Sequence, residues 1–236
     1  NIDTSTINGW LNIFKEQGYT SSHIVRTLKK KFDIKKIGHY GTLDPLASGV
    51  LPLALGEATK TMQFITFNQK SYSFFINWGK ETDTCDEAGK ILRETSIRPN
   101  ISEIKPTIQK YFMGNIDQIP PIFSAVKVNG KRAYQLARKN EKFEINSKKI
   151  KIFKFELLKF INENTAQFLV SCGPGTYVRS LARDLSKKLG TLGYASNIVR
   201  LKNSYFCISR SISFDKIIKS NTSNFNKKLL PVDYVL

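Results

Sequence analysis

The chain has 236 residues, 41% of them hydrophobic and 24% charged, which suits one large folded domain or two small ones and leaves ample apolar matter for a core. Its 37 Lys and Arg against 19 Asp and Glu leave a net charge of +18, which points to a polyanionic partner and says nothing about fold. No run approaches the roughly eighteen apolar residues of a membrane-spanning helix. The start Asn1-Ile2-Asp3 lacks the basic-then-apolar pattern of a secretory signal, so no membrane partner is expected.

In chain order, Ser22 is placed to cap a helix running through Phe32, with Ile24, Val25, Leu28 and Phe32 on its apolar face. Glu57 to Phe67 reads as a second, short helix. Tyr72 to Trp78 alternates poorly but is rich in aromatics and reads as a buried strand. Ile104, Ile108 and Phe112 give Ile101 to Phe112 a helical spacing, and Arg132 to Lys139 is a further short helix. Lys149 to Phe155 and Thr165 to Cys172 read as paired strands. Gly173-Pro174-Gly175 forces a turn before a helix from Tyr177 to Leu189, striped by Val178, Leu181, Leu185 and Leu189. Two short strands follow, Ser196 to Leu201 and Ser204 to Ser209, and then a polar stretch, Lys219 to Lys228. Strands and helices mixed without a regular β-α-β rhythm predict an α+β fold, a mixed, largely antiparallel sheet flanked by helices.

Cys85, Cys172 and Cys207 are odd in number and far apart, so three buried thiols in a reducing, cytoplasmic setting are expected rather than a disulfide framework. With only His23 and His39 there is no zinc-ligand spacing. No phosphate-cradling glycine loop is visible either, so an enzyme here is expected to use neither metal nor nucleotide cofactor. The positive charge is uneven: residues 1–100 net +3 and residues 101–236 net +15. Lys127 to Lys154 holds ten bases (among them Lys127, Lys131, Arg132 and Lys142) against Glu141 and Glu144, interleaved with Phe123, Tyr134, Phe143, Phe153 and Phe155. Such a stretch is either a solvated face or a surface that tracks nucleic-acid phosphates.

One segment stands apart. Gly38-His39-Tyr40-Gly41-Thr42-Leu43-Asp44-Pro45 and the residues up to Lys60 place four glycines and two prolines between Gly38 and Gly56, a backbone expected to be constrained rather than regular. Taken alone, Asp44 before Pro45 is a turn former, and His39 is a loop histidine or one satisfied by a neighbour. Tyr72 alone is a structural strand tyrosine, and Arg179 alone a phosphate contact or a helix-surface ion pair.

The segment Gly38 to Lys60 resembles the signature of the bacterial tRNA pseudouridine-55 synthases, the TruB family, at every fixed position of the pattern G-H-x-G-x-L-D-P-x-A-x-G-x-L-P-x-x-x-G-x-A-T-K. The likeness continues through Lys70-Ser71-Tyr72, the Gly79 to Asp86 loop with Thr82-Asp83-Thr84, the stretch from Pro120-Pro121 through Ser124-Ala125 to Lys127, and Cys172 to Leu181 with Gly175-Thr176-Tyr177 and Arg179. Lys15 is followed by Glu16 where the family usually has proline. The family's C-terminal RNA-binding module is expected to be absent or not covered, with 1–236 the catalytic domain and 210–236 a short tail. The resemblance implies isomerisation of uridine 55 in the tRNA T loop by base flipping, glycosidic cleavage and reattachment through C5, in a cytoplasmic monomer. It assigns the essential carboxylate to Asp44, its guanidinium partner to Arg179 and an active-site ring to Tyr72. It implies substrate or RNA contacts for His39, Tyr177, Leu201, Lys127, Lys131 and Arg132, and for Lys15 either an RNA-backbone contact or a part in holding the pocket. A non-catalytic RNA-binding protein, and a hydrolase using Asp44 with Asp83 or Asp86, are the competing readings.

Overall fold

The computed structural model describes residues 7–139, 141 and 143–236; the expectations placed on Asn1-Ile2-Asp3 and on Lys142 lie outside them. The chain falls into two compact units, one running up to Lys70 and resuming at Val199–Leu236, the other Ser71–Ile198.

In the first unit, Gly9–Lys15 pairs antiparallel with Ser48–Leu55 over its whole length, from Gly9 opposite Leu55 to Lys15 opposite Gly49. Ile37–His39 adds antiparallel to the same strand. Val199 and Arg200 add parallel to it, opposite Ser48 and Gly49. Ser48–Leu55 corrects the expectation of an irregular backbone here: Val50, Leu51, Leu53, Ala54 and Leu55 are fully buried, so burial drives a strand despite Pro52. Helix Ser21–Lys31 buries Ile24 and Leu28. Its cap is Thr20, whose hydroxyl accepts from His23 N, and not Ser22. The helix expected from Glu57 to Phe67 is shorter, a turn at Ala58–Thr61 followed by a 3-10 turn at Met62–Phe64. Trp10, Val50, Ala54, Ala58, Phe206 and Val235 form a buried cluster. The segment 210–236 makes short helices at Phe214–Ile217 and Thr222–Asn226. Phe225 stacks on Phe32 at 4.0 Å, and Trp10 exchanges two backbone hydrogen bonds with Leu230, so the expected tail is part of this unit's core.

The second unit is built on 193–198, 71–78, Thr165–Cys172, Lys148–Asn162 and Gly114–Gln118 in sheet order. Lys148–Asn162 runs antiparallel to both of its neighbours. Strand Lys70–Trp78 alternates better than its sequence suggested: Tyr72, Phe74, Ile76 and Trp78 are buried and the residues between them are not. Phe74, Phe155 and Phe168 pack ring against ring, which makes Phe155 core and not part of the basic surface. Helices Ile101–Tyr111 and Val178–Lys188 stand where the periodicity put them, as does Ala133–Arg138. The two last strands differ from expectation, since 193–203 is one continuous strand and the strand expected at Ser204 to Ser209 shrinks to Phe206–Cys207. Cys85 and Cys172 are buried, whereas Cys207 is only half-buried. Among the described residues no helix is long and apolar enough to cross a membrane.

Candidate active site

In the first unit Asp44 sits half-buried in a turn closed by a hydrogen bond from Ala47 N to Asp44 O at 3.0 Å, with Pro45 supplying a fixed φ. Three buried side chains hold that turn. The Lys15 ammonium, 0% exposed, donates to Tyr19 O at 2.8 Å, Glu16 O at 3.2 Å and Pro45 O at 3.3 Å. The Arg200 guanidinium, 1% exposed, donates through Nε to Val50 O at 2.8 Å and through its two terminal nitrogens to Gly41 O at 2.8 Å and Thr42 O at 3.2 Å. Ser21 Oγ accepts from Leu43 N and donates to Leu43 O, at 3.0 and 3.1 Å. The carboxylate therefore rides on a loop gripped by two buried cations, one at Gly41-Thr42 and the other at Pro45.

That grip needs close backbone approach. Gly49 lies at φ +112°, and a Cβ there would fall 2.2 Å from Arg200 O, so no larger residue fits beside the parallel pair. Gly41, at φ +79°, leaves room for Arg200 and for Asn203, whose Nδ2 donates to Tyr40 O at 2.7 Å. Burial lowers the Lys15 pKa from 10.5 to about 8, with Asp44 opposing the shift and Arg200 adding to it. His39, half-buried on the strand beside the turn, is held below its usual value by burial first and by the Arg200 charge second, so the uncharged imidazole is favoured. Its Nδ1 is buried with no hydrogen-bond partner among the described residues. Leu201 is half-buried and points to the opposite side of its strand from Arg200.

In the second unit Arg179 is buried on helix Val178–Lys188. It donates to Thr84 O at 2.9 Å and through both terminal nitrogens to Phe123 O at 3.2 Å, and it lies 3.8 Å from the Asp86 carboxylate. The Gly79–Asp86 loop, the Pro-Pro stretch and the Arg179 helix, far apart in sequence, thus meet at one guanidinium. Tyr177, half-buried, has both backbone groups engaged by the Gln118 side chain, N–H to Oε1 at 2.8 Å and carbonyl from Nε2 at 3.1 Å. Tyr72 is buried on its strand. Lys127, Lys131 and Arg132 lie exposed on a hairpin turned by Asn129-Gly130, both with positive φ, the turn chemistry that a two-residue hairpin demands.

Sequence reading had not singled out Arg200 or Gln118. Each acts on backbone groups distant along the chain, a relation without local signature, although a lone arginine in an otherwise apolar-facing strand position was a visible irregularity. Among the described residues no group of three or more His, Cys, Asp or Glu is placed to hold a metal ion.

A carboxylate on a turn clamped by two buried cations suits nucleophilic or acid–base chemistry by protein side chains. Residues 29–178 match the N-terminal domain of the TruB family pseudouridylate synthases. The chain is 45% identical over 97% of its length to a protein of Ehrlichia ruminantium, tRNA pseudouridine synthase B, and spans 77% of that protein. It is 44% identical over 96% of its length to the Wolbachia pipientis protein of the same name and spans 64% of it. Among solved structures, a Cbf5-Nop10-Gar1 complex is similar over 100% of this chain and 63% of the other, with TM-score 0.75 and 26% identity. The chain belongs to the TruB family of pseudouridylate synthases.

Proposed function

We propose that this chain isomerises uridine to pseudouridine in tRNA, at position 55 of the T loop. The observation that carries the reading is Asp44 on a turn gripped from both ends by Lys15 and Arg200, in a chain of this family; the relatives' names supply tRNA. The N1–C1′ bond breaks, the uracil turns, C5 bonds to C1′, and the proton leaving C5 is balanced by one gained at N1. Attack of Asp44 on the uracil ring, attack on the sugar, and removal of a sugar proton each need it ionised. An ionised carboxylate shielded from water needs a counter-charge; this reading gives that role to Arg179 and leaves Lys15 and Arg200 to hold the turn. The target base is extruded from the loop at a cost of roughly a few kcal/mol. Tyr72 stacks on it, the neutral ring of His39 fills the space it vacates, and Leu201 and Tyr177 line its surroundings. Lys127, Lys131 and Arg132 follow the T-arm phosphates, recognising shape more than sequence. Residues 1–236 act as the catalytic domain of a cytoplasmic monomer.

A hydrolase using Asp44 with Asp83 or Asp86 is disfavoured. Asp83 accepts from Lys90 N at 2.9 Å, and Asp86 from Thr84 Oγ1 at 2.5 Å and Ala88 N at 3.1 Å, so both carboxylates organise their own loop. The test is tritium release from T-arm RNA labelled at uracil C5. Release by the parent and at least about a thousandfold less by Asp44→Asn, with RNA affinity retained, is the expected result. RNA binding without release from either protein would favour a non-catalytic RNA-binding role, and free uracil a hydrolase.

A further inference from the structure

We infer that Phe67, Tyr205 and Lys202 form a second RNA contact, a platform on which an unpaired base stacks while a neighbouring phosphate meets the ammonium; this rests on the proposed action on tRNA. The two rings stay 38% and 40% exposed, with centroids 5.7 Å apart and planes at 49°. The Lys202 Nζ lies 5.3 Å from the Phe67 centroid. Two other ring pairs of the same unit, Trp10 with Phe206 and Phe32 with Phe225, are buried. Phe206 is buried directly beside exposed Tyr205, so the turn separates an inward ring from an outward one.

The outward ring is held there by backbone. Ser204, fully buried, takes φ +55°, a left-handed conformation that a non-glycine residue rarely adopts and that costs on the order of 1 kcal/mol. Ser204 N donates to Gln69 O at 2.9 Å, tying the Tyr205 turn to the segment that carries Phe67. Asn203 next to it donates to Tyr40 O, between His39 and Gly41. The platform is thus fastened to the same loop that leads to Asp44, within one unit.

Its chemistry selects the occupant. Exposed ring faces accept any nucleobase, because every base has a π-face, and the Lys202 ammonium, which lies over the Phe67 ring, supplies the phosphate contact. A chain with net charge +18 favours a polyanion at this surface over a cationic or neutral one.

The experiment uses the full chain and a T-arm hairpin RNA in which 2-aminopurine replaces a loop purine, reading fluorescence quenching, Kd, and kcat and KM for release from C5. The parent should bind and quench. Phe67→Ala/Tyr205→Ala should lose much of the quenching and bind about tenfold more weakly, with kcat at saturating RNA within about twofold of the parent. Phe67→Trp/Tyr205→Trp should restore both, and Lys202→Met should reduce the salt slope of log K by about one. Unaltered affinity and quenching in the double alanine variant would overturn the platform, as would be found if the surface takes another protein instead. A fall in kcat without a change in Kd would overturn it too, since the rings would then only prop the loop. A parent that binds no T-arm RNA would overturn the tRNA reading itself, a result distinct from a parent and a double variant that bind equally.

Discussion

An ammonium with no exposed surface is an expensive way to hold a loop, and Lys15 carries that cost in its titration. Burial lowers its pKa from 10.5 to about 8, so between those values the unfolded chain keeps a proton that the folded chain has lost. Stability contributed through this group therefore rises with pH across that window, by at most about 3 kcal/mol, and the penalty is fully present below it. In urea titrations at pH 8 and pH 10, the stability of the parent relative to Lys15→Met should rise with pH; a constant difference would mean an ordinary lysine. Arg200 is the second clamp. Arg200→Met should lose about 3–5 kcal/mol in the same measurement, because the carbonyls of Gly41, Thr42 and Val50 lose their donors inside the fold. Arg200→Lys should recover only part, since an ammonium cannot reproduce the planar fork.

At the scale of elements, the helix carrying Ile24 and Leu28 was legible from its period, while its start was displaced by two residues. Thr20 caps it, and Ser21 is drawn away to Leu43 on the Asp44 turn, leaving Ser22 without the capping role. Thr20→Ala should lower stability by about 1 kcal/mol in thermal or urea unfolding without changing turnover, whereas Ser21→Ala, which frees Leu43, should reduce turnover as well. Strand Ser48–Leu55 was obscured by composition: Gly49 and Pro52 read as loop, although the apolar run around them is that of a strand buried on both faces. The tertiary reason for Gly49 is the Arg200 backbone beside it, which no local window contains.

For the whole molecule the deciding quantity is charge. Lys127, Lys131, Arg132, Arg138, Lys139, Lys148, Lys149, Lys151 and Lys154 are all exposed, and their surface pairs with Asp117 and Glu156 are open to solvent, each worth at most about 1 kcal/mol. Most of that charge is therefore available to phosphates. Log K for tRNA should fall linearly with log salt, and Lys127→Ala/Lys131→Ala/Arg132→Ala should reduce the slope by about three while leaving kcat at saturating RNA near the parent value. A slope unchanged by the triple substitution would remove this hairpin from the RNA track.

Composition, period and motif are local or summed properties, and they sufficed for the α+β class, the polyanionic partner, the Asp-Pro turn and the resemblance that singled out Asp44. What grips that turn was decided only in three dimensions. Arg200 reaches Val50 across 150 residues of chain and Gly41 across 159, and Gln118 reaches Tyr177 across 59. A hydrogen bond to a backbone carbonyl asks nothing of the side chain at the receiving residue, so it leaves no pattern there to read; it exists only once both segments have been packed.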